Sequence, residues 1–151
     1  MSNDDLLQPT IATDGRVRPK PWRIQSQFYV CFFGGPIPGT LIAFLNAKRL
    51  HLGAGARRNI VLAGLAATVA FALLVYFAPL GERPGRTVRT WAHLTGALLW
   101  WLALSRIQRP ADLMRNAAGD AEYASLWGPG LASSLLLGAI QNLGVWALTR
   151  L

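Results

Sequence analysis

From Ile60 to Leu80 the chain runs for 21 residues without a formal charge (IVLAGLAATVAFALLVYFAPL). No other feature limits its folding options as much. As a helix rising ~1.5 Å per residue, this run covers a hydrocarbon core of ~30 Å. As the interior of a soluble domain it would need polar cover that the rest of the chain does not supply. Of the 151 residues, 52% are hydrophobic and 15% are charged, an unusual balance for a soluble domain. A soluble all-α protein with buried helices is set aside on that ground.

Three further stretches share this character. Phe28 to Ala47 (FYVCFFGGPIPGTLIAFLNA) is uncharged over 20 residues, although a Gly/Pro cluster interrupts it. Thr90 to Ser105 is shorter and needs Val88 and Ile107, or a thinner bilayer, to cross. Gly130 to Thr149 follows a Trp-Gly-Pro turn that can start a helix. Trp22, Trp91, Trp127 and Trp146 fall before or near the ends of these stretches, where an indole sits among head groups. The expected fold class is all-α: a polytopic transmembrane helical bundle with four apolar segments. These lie at about 28–47, 60–80, 90–107 and 130–149, in one helical domain over 28–151 behind a polar tail over 1–27. The tail has acids, prolines and no apolar core, so no cleavable signal peptide is expected, and the first apolar stretch is the insertion signal. Ala111 to Ser125, with Asp112, Arg115, Asp120 and Glu122 among alanines, is expected to form a short interfacial helix.

The net charge of +8 does not point to nucleic acid. Its Lys and Arg residues lie in the tail and loops, where anionic head groups and the insertion machinery account for them. If all four segments cross, the two sides carry eight and seven Lys and Arg, and the rule that positive loops stay inside cannot choose an orientation. If the first segment dips in and returns, the counts become eleven and four, a clear bias. Pro36 and Pro38 permit that return, since each lacks an N–H and disfavours helix at the preceding residue. Carbonyls near Phe32 and Gly34 would then lack partners, which lipid does not tolerate unless protein or a wet cavity covers them. The first segment is therefore either a full span or a broken, re-entrant element.

Gly34, Gly35, Pro36, Pro38 and Gly39 form the most distinctive cluster. A helix broken there would turn backbone dipoles towards an ion or solute, as transporters arrange. The favoured alternative is packing, because Gly35, Gly39, Ala43 and Ala47 recur every four residues and give a smooth face for a neighbouring helix.

Phe32 to Gly53 (FFGGPIPGTLIAFLNAKRLHLG) also resembles the start of a group of small uncharacterised bacterial membrane proteins. That group has a Gly-Gly-Pro segment early in the first apolar helix, then an Asn and a basic residue, then a Leu and a Gly. The matching positions are Gly34, Gly35, Pro36, Gly39, Asn46, Leu50 and Gly53. Pro38 departs from the pattern, which has small or aliphatic residues there, and puts an unbroken helix in question. The resemblance covers about the first third of the chain and implies no activity.

In the fourth stretch, Gln141 and Asn142 carry a desolvation cost unless they find partners. At ~100° per residue, Gly130, Ser134, Gly138 and Gln141 fall within about 80° of one another. Such a face suits helix–helix hydrogen bonding, worth ~0.6 kcal/mol per contact. Lining a solute path is the other reading. His51 and His93 have no companion ligand at metal spacing. The apolar stretches hold no Asp, Glu, Lys or Arg of the kind a proton-coupled pump buries. Ser105, Ser125, Ser133 and Ser134 lack a nucleophile-elbow context, Cys31 reads as a small hydrophobe, and Asp112 with Arg115 and Asn116 reads as a solvated surface group. No cofactor, metal or enzyme activity is expected. The expected function is an interaction or accessory role in the bacterial cytoplasmic membrane, with the lipid bilayer and a membrane-protein partner or second copy as its company. The alternative is a small oligomeric transporter or channel with the Gly34 to Gly39 break and Gln141 beside the path. A lipid-modifying enzyme is a distant third.

Overall fold

Long runs of Leu, Ala and Val become helices, and Gly or Pro sits beside most of their ends. The computed structural model describes residues 19–77, 86–119 and 122–148. Five helices follow one another: α1 (Gln27–Gly34), α2 (Pro36–Arg49), α3 (Ala54–Phe77), α4 (Arg86–Ala117) and α5 (Trp127–Leu148). Among the described residues there is no strand, only an isolated parallel bridge between Trp22 and Ala124. The polar tail to Arg18, the Gly/Pro-rich turn over 78–85, Asp120 and the end of the fourth segment at Thr149 lie outside the described residues, as do the side chains of Trp91, His93, Asn142 and Trp146.

The first apolar segment is not one helix. It breaks at Gly35, whose φ of 85° and ψ of −166° are open to glycine and strained for other residues. The chain then folds back on itself. Cys31 lies against Gly39, Val30 and Ile42 share a core cluster with Trp22, and the Trp22 backbone is bonded to the Asn46 side chain. These pairs nest around Gly35, so α1 and α2 form an antiparallel hairpin whose two ends meet. At ~1.5 Å per residue its arms are about 12 and 21 Å long, short of a bilayer core in depth. The expected stripe of Gly35, Gly39, Ala43 and Ala47 is corrected accordingly. Gly35 is the turn, while Gly39, Ala43 and Ala47 lie on the buried face of α2, with Ala43 and Ala47 packed beside Ile60 of α3 and Leu104 of α4.

The remaining helices enclose this hairpin. α2 and α3 run antiparallel, Thr40 meeting Gly64 and Ala43 and Ala47 meeting Ile60. α5 runs alongside α1 in the same direction, with Gly130 at Val30 and Ser134 and Gly138 at Gly34. α4 covers the hairpin's other side through Trp100, Trp101, Leu104 and Gln108. Among the described residues α4 and α5 do not pack on each other, because the hairpin lies between them.

Two more expectations change. Residues 111–117 are not a separate interfacial helix but the end of α4, which passes through Pro110. Pro110 removes one N–H, and the carbonyl it frees, on Arg106, belongs to an exposed turn of helix that water can reach. α3 begins at Ala54 rather than Ile60, taking in Arg57 and Arg58, since arginine is a good helix former and needs no apolar surroundings. Among the described residues one helix is long and apolar enough to cross a membrane, over Ala54–Leu73 with a mean hydropathy of 1.4. It buries only 11% of that window.

Candidate functional site

The sequence-derived candidates gather at the two ends of the hairpin. At its tip a helix has to begin inside the protein, where its first N–H groups have no partner within the helix. Four positions are at stake. Pro36 and Pro38 have no N–H to satisfy, and Gly39 N–H donates to the Gly35 carbonyl at 3.2 Å. That leaves Ile37, whose N–H donates to Oε1 of Gln141 on α5 at 3.2 Å. The Thr40 hydroxyl donates back to the Pro36 carbonyl at 2.6 Å, and Gly35 N–H closes α1 by donating to the Cys31 carbonyl at 3.0 Å. The prolines that break the helix thus also lower the cost of starting the next one.

Close approach makes this tip possible. A Cβ on Gly35 would stand 2.6 Å from Gln141 Nε2, and one on Gly138 would stand 3.3 Å from the Gly34 carbonyl oxygen. Gly34 itself faces Pro38 and Ser134. The α5 face of Gly130, Ser134, Gly138 and Gln141 is therefore the face laid against α1 and the tip.

At the open end, the hairpin's mouth, three buried amides form a second cluster. Asn46 Oδ1 accepts the Trp22 N–H at 2.7 Å, and Asn46 Nδ2 donates to the Trp22 carbonyl at 3.2 Å and to Gln108 Oε1 at 2.7 Å. Gln27 and Gln108 exchange amide hydrogen bonds in both directions, at 3.1 and 3.2 Å. All three amide residues are at most 1% exposed. One side chain thus pairs with both polar groups of the Trp22 peptide, as a neighbouring strand would, and ties the chain before α1 to the end of α2 and to α4. Asn46 was legible beforehand through the resemblance. Gln27 and Gln108 were not, though each flanks an apolar stretch by one position, where an amide can turn inward.

Cations and aromatics surround the mouth. The Arg49 guanidinium lies 3.8 Å from the Trp22 ring centre and donates to the Lys20 carbonyl at 2.8 Å. Arg23 stacks on Tyr123 and Lys48 on Phe44, and Lys20 pairs with Glu122. The Tyr123 hydroxyl reaches Asp112 and Asn116, each at 2.9 Å, and its one proton serves one of them at a time. Burial first, and the Asp112 carboxylate beside it, hold that hydroxyl above its ordinary pKa, so it remains a donor. Among the described residues three buried donors have no acceptor: Nε1 of Trp22, Nε1 of Trp100 and Nε of Arg57.

Amides neither gain nor lose protons near neutral pH, so both clusters hold chain segments together rather than offer an acid, base or nucleophile. Among the described residues no three His, Cys, Asp or Glu side chains come together as a metal set. Comparison with known proteins adds no relative: no family model, curated protein or solved structure matches the chain.

Proposed function

We propose that this chain is a multi-pass protein of the bacterial cytoplasmic membrane with an interaction or accessory role. In this reading α3, α4 and α5 cross the bilayer, and the α1–α2 hairpin enters from one side and returns to it. The observation that carries the proposal is the tip. Its broken backbone is covered by Gln141 and by glycine contacts to α5, the condition under which irregular backbone survives at membrane depth.

The exterior supports the same reading. Leu65 and Leu73 of α3, Leu99 of α4 and Leu135, Leu136 and Ile140 of α5 are each at least half exposed, an expanse that water would penalise and acyl chains would not. In this reading the hairpin returns to the side it entered from, so the tail, the α2–α3 turn and the end of α4 share one side. That side then carries eleven Lys and Arg against four, a bias that supports a cytoplasmic mouth. An interaction role is preferred over a solute path because Gln141, the amide best placed to line one, is occupied by Ile37.

Topology is tested by membrane-impermeant thiol labelling in a Cys31→Ala background. Gln25→Cys and Arg58→Cys should both label only in opened cells, and Glu82→Cys in intact ones. Opposite behaviour of Gln25→Cys and Arg58→Cys would remove the re-entrant hairpin. The role is tested by extraction in mild detergent, where a stoichiometric membrane partner or a homo-oligomer is expected. A lone monomer, or solute flux in liposomes that Gln141→Leu abolishes, would overturn it.

A further inference from the structure

Among the described residues the mouth holds more positive charge than it neutralises. The described residues include two acids, Asp112 and Glu122, and both are engaged, with the Tyr123 hydroxyl and with Lys20. Positive charge also converges at one place, the turn from α2 to α3. Lys48 lies in the last turn of α2 with its ammonium 4.9 Å from the Phe44 ring centre, and Arg57 and Arg58 follow within the first turns of α3. The first turn of α3 has no acidic residue, although a helix N-terminus carries unpaired N–H groups and partial positive charge. Cations placed there repel it.

We infer that this turn binds the phosphate of an anionic phospholipid head group, held by Lys48, Arg57 and Arg58. Four observations converge on it. Arg57 shares a helix face with Ile60 and Gly64, the face packed on α2, and its buried Nε has no acceptor among the described residues. An orphaned charged donor is costly unless a partner arrives. Gly53 and Gly55 have nothing within 4 Å of a Cβ position, so an anion can reach the backbone there. Finally, the uncharged run begins at Ile60, two residues after Arg58, or about 3 Å along the axis. That puts the arginines at the level of the phosphate layer, with Val61, Leu62 and Leu65 exposed just beyond for the acyl chains. A freely soluble phosphate offers the same oxygens but gains nothing from those leucines.

This site rests on the membrane reading, so its test is run on full-length protein in neutral detergent, where topology plays no part. Thermal unfolding is followed with added phosphatidylglycerol, phosphatidylcholine or inorganic phosphate. The comparison is between the wild type, Arg57→Gln/Arg58→Gln and Arg106→Gln/Arg109→Gln, the last removing equal charge from exposed positions of α4. Phosphatidylglycerol should raise the midpoint of the wild type and of the α4 variant by several degrees, and the Arg57→Gln/Arg58→Gln variant should lose at least half of that rise. Equal loss in both variants would mean a diffuse surface field and would overturn the site. An equal rise with phosphatidylcholine or with inorganic phosphate would overturn the anionic lipid as its ligand. If the double variant does not fold, Lys48→Gln, an exposed position, gives the same readout.

Discussion

The side-chain carbonyl of Gln141 accepts the backbone N–H of Ile37 at 3.2 Å, across 104 positions of sequence. Gln141 lies fourteen residues into α5, about 21 Å along it, so the partly buried bond is made far from the helix start. It also completes the first turn of α2, since the prolines on either side of Ile37 have nothing to donate.

Gln141→Leu keeps most of the volume and leaves the Ile37 N–H without an acceptor. The expected loss is about 1–3 kcal/mol of stability, read as a lower midpoint in heat or sodium dodecyl sulfate titration from mild detergent. An unchanged midpoint would mean that water or lipid supplies the acceptor.

Gly35→Ala should be worse tolerated than its small size suggests. Its φ of 85° with ψ of −166° is a conformation essentially reserved for glycine and costs an L-residue ~1–3 kcal/mol, and the new methyl would meet Gln141 Nε2 at 2.6 Å. Gly96 of α4 is the matched control. Nothing lies within 4 Å of its Cβ position, so Gly96→Ala should be neutral or up to ~1 kcal/mol stabilising. The same unfolding titration compares them, and equal effects would discount the tip geometry.

α3, the middle of α4 and α5 were legible because each contains a long apolar run, and the small-residue face of α5 was legible because Gly130, Ser134, Gly138 and Gln141 repeat at helical spacing. The hairpin was only half legible. Pro36 and Pro38 announce a broken helix, but whether the chain then goes on or turns back depends on Gly35 taking a positive φ and on Gln141 meeting Ile37. Neither is a local property of residues 28–47. The amide cluster was the hardest part to read, since Gln27 and Gln108 sit at the edges of apolar stretches. There, a polar residue facing water and one facing its own kind leave the same pattern in sequence. The running-on of α4 through Pro110 was missed because a proline in an exposed turn disrupts less than one in a packed helix.

Gln27 and Gln108 should show strong coupling. Gln27→Leu alone leaves the Gln108 amide short of a donor and an acceptor, a loss of about 1–3 kcal/mol. In Gln27→Leu/Gln108→Leu both halves of that pair are gone, and part of the loss should return. Recovery stays partial because Asn46 Nδ2 also donates to Gln108. A double-mutant cycle on unfolding midpoints should give a coupling of about 1 kcal/mol or more, and simple additivity would show that the pair is not a unit.

Asn46 controls a segment as well as a contact. It holds both polar groups of the Trp22 peptide, and among the described residues the segment around it makes three other hydrogen bonds to distant parts of the chain: Arg49 to the Lys20 carbonyl, Ala124 N–H to the Pro21 carbonyl, and Trp101 to the Ile24 carbonyl. Asn46→Ala should therefore loosen residues 19–26 locally before it unfolds the helices. Trypsin can report this, because Lys20 precedes a proline and resists cleavage while the Arg23–Ile24 bond does not. Losing the clamp should speed cleavage there by roughly tenfold, the equivalent of ~1.4 kcal/mol, with α3 to α5 remaining intact on the same gel. Cleavage at an unchanged rate would place the restraint on the entry segment in its other hydrogen bonds, its charge contacts and the packing of Trp22, and the amide cluster would then serve only to join α2 to α4.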